Sequence, residues 1–137
     1  MNKHAYLCAY MAGIAVPTLL LLVGMTIFTV ARFVYDVPVP IERIIVFPMA
    51  VVPNLWGLWN IVYVSLHGRR RLSIGFHGAI LPFVLAPLGF TVARAVGFDV
   101  PSFIANAFPI VFPIVIVVYY LVWKLAVHFL NETLGIA

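Results

Sequence analysis

Four uninterrupted apolar stretches, at about Tyr6–Val34, Ile41–Leu66, Leu72–Val96 and Phe103–Leu130, take up most of this 137-residue chain. A helix needs about 20 apolar residues to cross the hydrocarbon core of a bilayer, and each stretch supplies them. Inside lipid no water is present to satisfy backbone polar groups, so a crossing segment must be a helix or part of a closed barrel. Barrel strands alternate apolar and polar residues, whereas these runs are continuous, which leaves helices. Composition agrees: 65% of residues are hydrophobic and 9% charged. A soluble domain of this size cannot hide so much apolar surface. The expectation is one membrane domain over residues 1–137, an all-α bundle of four transmembrane helices.

The first stretch is too long for a secretory leader. After Lys3 it stays apolar from Ala5 to Ala31, well beyond the ~7–15 residues of a leader's apolar region, and it reads as a retained span.

Direction follows from the basic residues. The connection between spans two and three carries Arg69, Arg70 and Arg71, and Lys3 and Lys124 fall on that side when all four spans cross. The other side holds Arg32, Arg43 and Arg94 together with Asp36, Glu42 and Asp99. Basic residues in short loops favour the cytoplasm, so both termini are expected there. A bacterial cytoplasmic membrane is the expected location.

The chain also writes one phrase twice. Phe28-Thr29-Val30-Ala31-Arg32 returns 62 positions later as Phe90-Thr91-Val92-Ala93-Arg94, and Asp36-Val37-Pro38 returns, after one inserted residue, as Asp99-Val100-Pro101. Apolar letters coincide easily, but Arg, Asp and Pro in order do not. The pattern predicts two copies of a helical hairpin, residues 5–71 and 72–137. Two spans separate the copies, so the repeat is of the parallel kind, about an axis along the membrane normal.

Each phrase carries a charge pair. Arg32 and Asp36 are four residues apart and would share a helix face. Arg94 and Asp99 would meet only if the helix ends between them, which Gly97 allows as a C-cap. These outer ion pairs read chiefly as helix terminators, with the two arginines as a conceivable anion site. Beyond them, Pro40 and Glu42 suit the first turn of the next helix, and Ser102 suits the N-cap of span four.

Interior prolines are frequent: Pro17, Pro48, Pro53, Pro82, Pro87, Pro109 and Pro113. Each removes a backbone bond and kinks its helix. Span two is the most polar, with Trp56, Asn60, Tyr63 and His67 at helical spacing and Gly57 beside them. Tyr120, Lys124 and His128 answer from span four. Such stripes serve as interhelix glue and an interfacial belt, or alternatively as a polar cavity lined by Trp56, Asn60, Tyr63, Tyr120 and Lys124.

The histidines invite a metal or haem reading, with His67, His77 and His128 as candidate ligands. No zinc-type spacing accompanies them, so no cofactor is expected. A single cysteine, Cys8, excludes an intrachain disulfide. The net charge of +4 is scattered, which argues against nucleic acid. Neither a nucleophile triad nor a paired-carboxylate site is present, so an enzyme is not favoured. The leading expectation is a helix-packing accessory or oligomeric membrane protein, partnered by lipid, by itself or by another membrane protein. A small-solute or ion carrier or channel with a pathway between spans two and four comes second, and a haem or redox enzyme third.

Overall fold

The computed structural model describes residues 4–39, 41–66, 72–97 and 102–136, the side chains of 43, 44, 46 and 103–105 apart. Among these residues the chain is all-helical. Helix α1 spans Ala5–Val34, α2 Ile41–Ile44, α3 Val52–Leu66, α4 Ile74–Ala95, α5 Ser102–Val122 and α6 His128–Thr133. One π-helical turn, Ile45–Met49, joins α2 towards α3, and a second, Trp123–Val127, joins α5 to α6. Four segments are long and apolar enough to cross a bilayer: Ala5–Val34, Phe47–Leu66, Ile74–Ala95 and Asn106–Thr133. Helix α1, with 30 residues, is about 45 Å long at 1.5 Å per residue, so within a bilayer it would have to tilt or protrude.

Helix α1 packs along α3, and α4 packs along α5 and the second π-helical turn. The two hairpins meet through α3 against α4 and through α1 against the second π-helical turn and α6. These meetings lie towards the end that bears His4, Leu66 and Thr133, here the terminal end. The opposite end, with the reversals after α1 and α4, is the turn end.

Close approach at the terminal end depends on glycine. A Cβ on Gly13 would stand 2.6 Å from the Trp56 carbonyl oxygen and 2.8 Å from Gly57 Cα, so α1 and α3 touch backbone to backbone. A Cβ on Gly78 would stand 2.0 Å from Trp123 Cγ, so the indole fills the space where a side chain would be. Small residues at such crossings let dispersion contacts do the work that the hydrophobic effect cannot do in lipid.

The helix ends are legible in their caps. Helix α4 starts from Ser73, whose hydroxyl accepts from Phe76 N–H at 3.5 Å, and ends at Val96 and Gly97, with Gly97 at φ +65°. The chain ends α6 with Gly135 at φ +66°, where Gly135 N–H donates to Glu132 O and Ile136 N–H to Asn131 O. Helix α1 ends differently. Asp36 takes the left-handed position itself, at φ +52°, and Val37 N–H reaches back to Ala31 O at 3.0 Å.

That ending corrects one expected ion pair. Arg32 and Asp36 would share a helix face only if the helix ran through both, but α1 stops at Val34 and Asp36 lies past its end at φ +52°. The carboxylate that meets Arg32 belongs to Glu42 in the first turn of α2, with Arg32 Nη1 donating to Oε1 at 2.7 Å. Glu42's own backbone N–H, and then the Arg32 guanidinium, hold its carboxyl below the ordinary value of 4.5. Asp99, the expected partner of Arg94, lies outside the described residues, as do Pro40, His67 and the arginines at 69–71.

The prolines break span two most. Pro48 sits in the first π-helical turn, and Pro53 falls in the first turn of α3 instead of a helix interior. There the missing N–H is least costly. The Asn54 side chain donates to Ala50 O at 2.6 Å and helps satisfy the carbonyls at this break.

Candidate functional site

The strongest concentration of polar groups lies where the two hairpins join. Asn60 is placed there by α3, one helical turn beyond the Gly13–Gly57 crossing, and is fully buried. Its Nδ2 donates to Ala9 O and to Asn131 Oδ1, both at 2.8 Å, and its Oδ1 accepts from Asn131 Nδ2 at 3.1 Å. Three helices are tied by these two amides. Ala9 leaves its carbonyl within reach because it adds only a methyl group to the α1 surface, and it is itself buried.

Asn131 was not among the expected site residues. It reaches the core because of the second π-helical turn. Trp123, Val127 and Asn131 follow at intervals of four, and all three are fully buried. In a regular α-helix that spacing would drift around the axis, since 3.6 residues make a turn. A π-helical turn holds more residues per turn and offsets the drift. The signal in the sequence is a Trp-Val-Asn stripe at constant spacing of four, beside the Tyr120, Lys124 and His128 stripe.

A second polar join lies beside the first. Trp59 Nε1 donates to His77 O at 2.9 Å, and His77 Nε2 lies 3.0 Å from Trp59 O. A carbonyl can only accept, so Nε2 carries the proton in this contact. The two rings stack with centroids 4.9 Å apart, and Tyr63 lies against the other side at 5.3 Å. Trp56 packs on Tyr119 at 5.0 Å and on Trp123 at 5.4 Å. This aromatic group fills the junction. Trp123 Nε1 is buried in it without a hydrogen bond, a cost of about 1–3 kcal/mol.

The five residues expected to line one cavity are therefore spread over three settings. Trp56 and Asn60 are packed in the bundle interior. Tyr63 borders a crevice of about 200 Å³ with Trp59, Leu66, Leu72 and His77. Tyr120 lies over Gly75 and edge-on to Phe76, at 5.2 Å, and Lys124 stands exposed 5.7 Å above its ring. A cation–π contact of this kind suits an interfacial belt.

The histidines are likewise apart in role. His77 is held by Trp59, and His128 lies 3.5 Å from Glu132 on an exposed helix face. Among the described residues no three His, Cys, Asp or Glu side chains come together as metal ligands. Beside the Gly13 crossing Tyr10 and Asn54 add a further α1–α3 hydrogen bond, Tyr10 O–H donating to Asn54 Oδ1.

No protein-family model matches this chain, and no curated protein or solved structure matches it either. The class that fold and site define is that of a multi-pass, all-helical chain suited to a membrane.

Proposed function

We propose that this is a small multi-pass membrane protein that works through helix–helix contact, either as an oligomer of itself or as an accessory subunit of another membrane protein. The observation that carries the reading is the Asn60–Asn131–Ala9 junction. The polar groups that a transport pathway would expose are bonded to one another and hold two hairpins together. Polar interhelix bonds of this type are worth ~0.6–2 kcal/mol each in membranes. The turn-end part of α1, from Thr18 onwards, contains no buried residue, so it has a long apolar face available to another helix.

The finer architecture is part of the same proposal. The hairpins are read as two copies of one unit, supported by Gly13 and Gly75, which stand 62 positions apart and each lie at a crossing with the hairpin partner. Both termini are placed in the cytoplasm and the chain in a bacterial cytoplasmic membrane, on the strength of the arginines at 69–71. No cofactor is assigned.

The test is crosslinking in native membranes with single cysteines at Val23 or Ile27 in a Cys8→Ser background. One discrete adduct, with a second copy or with one stoichiometric partner, is the expected result. Labelled cysteines that give no adduct anywhere along α1 would remove the reading. Solute flux in liposomes that Asn60→Leu abolishes, with the fold intact, would replace it with the carrier alternative.

A further inference from the structure

Between the hairpins, in the half of the bundle towards the turns, lies an apolar crevice of about 420 Å³. Phe47 of the first hairpin borders it where its ring packs on Gly89 of α4, a would-be Cβ there standing 3.1 Å from Phe47 Cε1, and Leu85 and Phe90 of α4 with Phe112 and Tyr119 of α5 complete the wall. The aromatic side is a built surface: Phe90 meets Phe108 at 5.5 Å, and Phe108 stacks on Phe112 at 4.9 Å. An apolar void deprives its walls of dispersion partners. A crevice in the hydrocarbon layer is next to a filler of matching chemistry.

Its length and its mouth say which filler. Along α4 the lining runs from Pro82 to Ala93, about 16 Å at 1.5 Å per residue. That is close to half of a ~30 Å hydrocarbon core, the depth of one leaflet. The residue after Ala93 is Arg94, exposed in the last turn of α4 at the turn end. Arg32 is met by Glu42, whereas Arg94 forms no ion pair among the described residues. A guanidinium at headgroup level above an acyl-sized crevice suits a phosphate with two oxygens to offer.

We infer that this crevice is a lipid site: one acyl chain of an acidic phospholipid lies between the hairpins, with its phosphate on Arg94. The inference goes beyond the packing role and depends only on the four spans lying in a bilayer. It gives the unequal packing of the bundle a function, since a lipid chain completes the half that side chains leave open.

The experiment is native mass spectrometry of the full chain released from vesicles of equal phosphatidylglycerol and phosphatidylcholine. Wild type should retain one phosphatidylglycerol, in several-fold preference over phosphatidylcholine. Arg94→Gln should lose that preference, while Arg32→Gln should keep it. Ala86→Phe, which places a ring in the crevice, should lose the bound lipid altogether, and circular dichroism reports whether it still folds. If Ala86→Phe misfolds, Ala93→Leu, also on the crevice wall, replaces it as the plug, and the Arg94→Gln comparison stands by itself. Wild type that retains no lipid overturns the inference, as does retention without headgroup preference. Phosphatidylglycerol held undiminished by a folded, plugged variant overturns it as well.

Discussion

The terminal half and the turn half of this bundle are made of the same four spans, yet they pack by different means. At the terminal end Ala9, Ala12 and Gly13 bring α1 against α3, and Gly78 admits Trp123 between α4 and α5. Every buried residue of α1 lies at or before Pro17, and every buried residue of α4 at or before Leu85. Beyond those points the spans present large apolar side chains to one another and to lipid, and a crevice remains. In a soluble protein such a half would be unstable, because water would reach it. In hydrocarbon, exposed apolar surface carries no comparable cost, so only close packing and polar bonds distinguish a held region from a loose one. The terminal half has both.

The largest effect should come from removing the close approach. Gly78→Ala puts a methyl group against Cβ and Cγ of a fully buried Trp123, near the root of the side chain where rotation gives little relief. Overpacking commonly costs 1–3 kcal/mol, and this position should lie at about 3 kcal/mol in reversible unfolding from mixed micelles. Gly13→Ala should behave similarly, because its clash is with the α3 backbone. Gly24, on the turn-end part of α1, has nothing within 4 Å of its would-be Cβ, so Gly24→Ala should change stability by less than about 0.5 kcal/mol. Equal damage at Gly24 and Gly78 would erase the contrast between the halves.

Next in size is the amide junction. Asn60→Leu removes its bonds to Ala9 and Asn131 and leaves the Asn131 amide buried without its partner. At the usual worth of interhelix bonds in membranes, the loss should be about 2 kcal/mol. The double variant Asn60→Leu with Asn131→Leu should recover part of that loss, since an apolar pair leaves no orphaned group. A double variant as unstable as the sum of the two single ones would mean that the amides act separately, and the hairpins would not be joined by a unit.

Much of this is legible in the sequence. Continuous apolar runs specify four helices long and apolar enough to cross a membrane, because the bilayer admits so few alternatives, and Gly97 marks the end of α4 because its backbone geometry suits few other residues. Asn60 and Gly57 stand out because a carboxamide and a bare Cα are conspicuous in a leucine- and valine-rich span. The residues that escaped did so for geometric reasons. Asn131 depends on a π-helical turn, which no simple 3.6-residue periodicity anticipates. Glu42 replaces Asp36 as the partner of Arg32 because Asp36 itself takes the left-handed cap position, a conformation open to Asp and Asn but seldom inferred for them. The crevice depends on where the hairpins diverge, a property of whole helices that no single residue reports.

The smallest effect is the one that separates the halves most cleanly. The Arg32–Glu42 pair lies at the turn end and both side chains are open, 36% and 73% exposed, so its influence should be local. Glu42 titrates below 4.5 when paired. Above that ordinary value the carboxylate is charged whether or not it is paired, and the contact contributes fully. As pH falls from 4.5 through the lowered value, the unpaired form takes up its proton first, and the contribution is lost. Spin labels at Phe33 and Ile45 should therefore show α1 and the start of span two moving apart on acidification, with Glu42→Gln apart at every pH. Labels at Leu7 and Leu58 should hold their distance over the same range, because the α1–α3 crossing near them is maintained by glycine and by neutral amides. Acid that opened both pairs together would show one cooperative unit, and the turn end would no longer be a region that can loosen on its own.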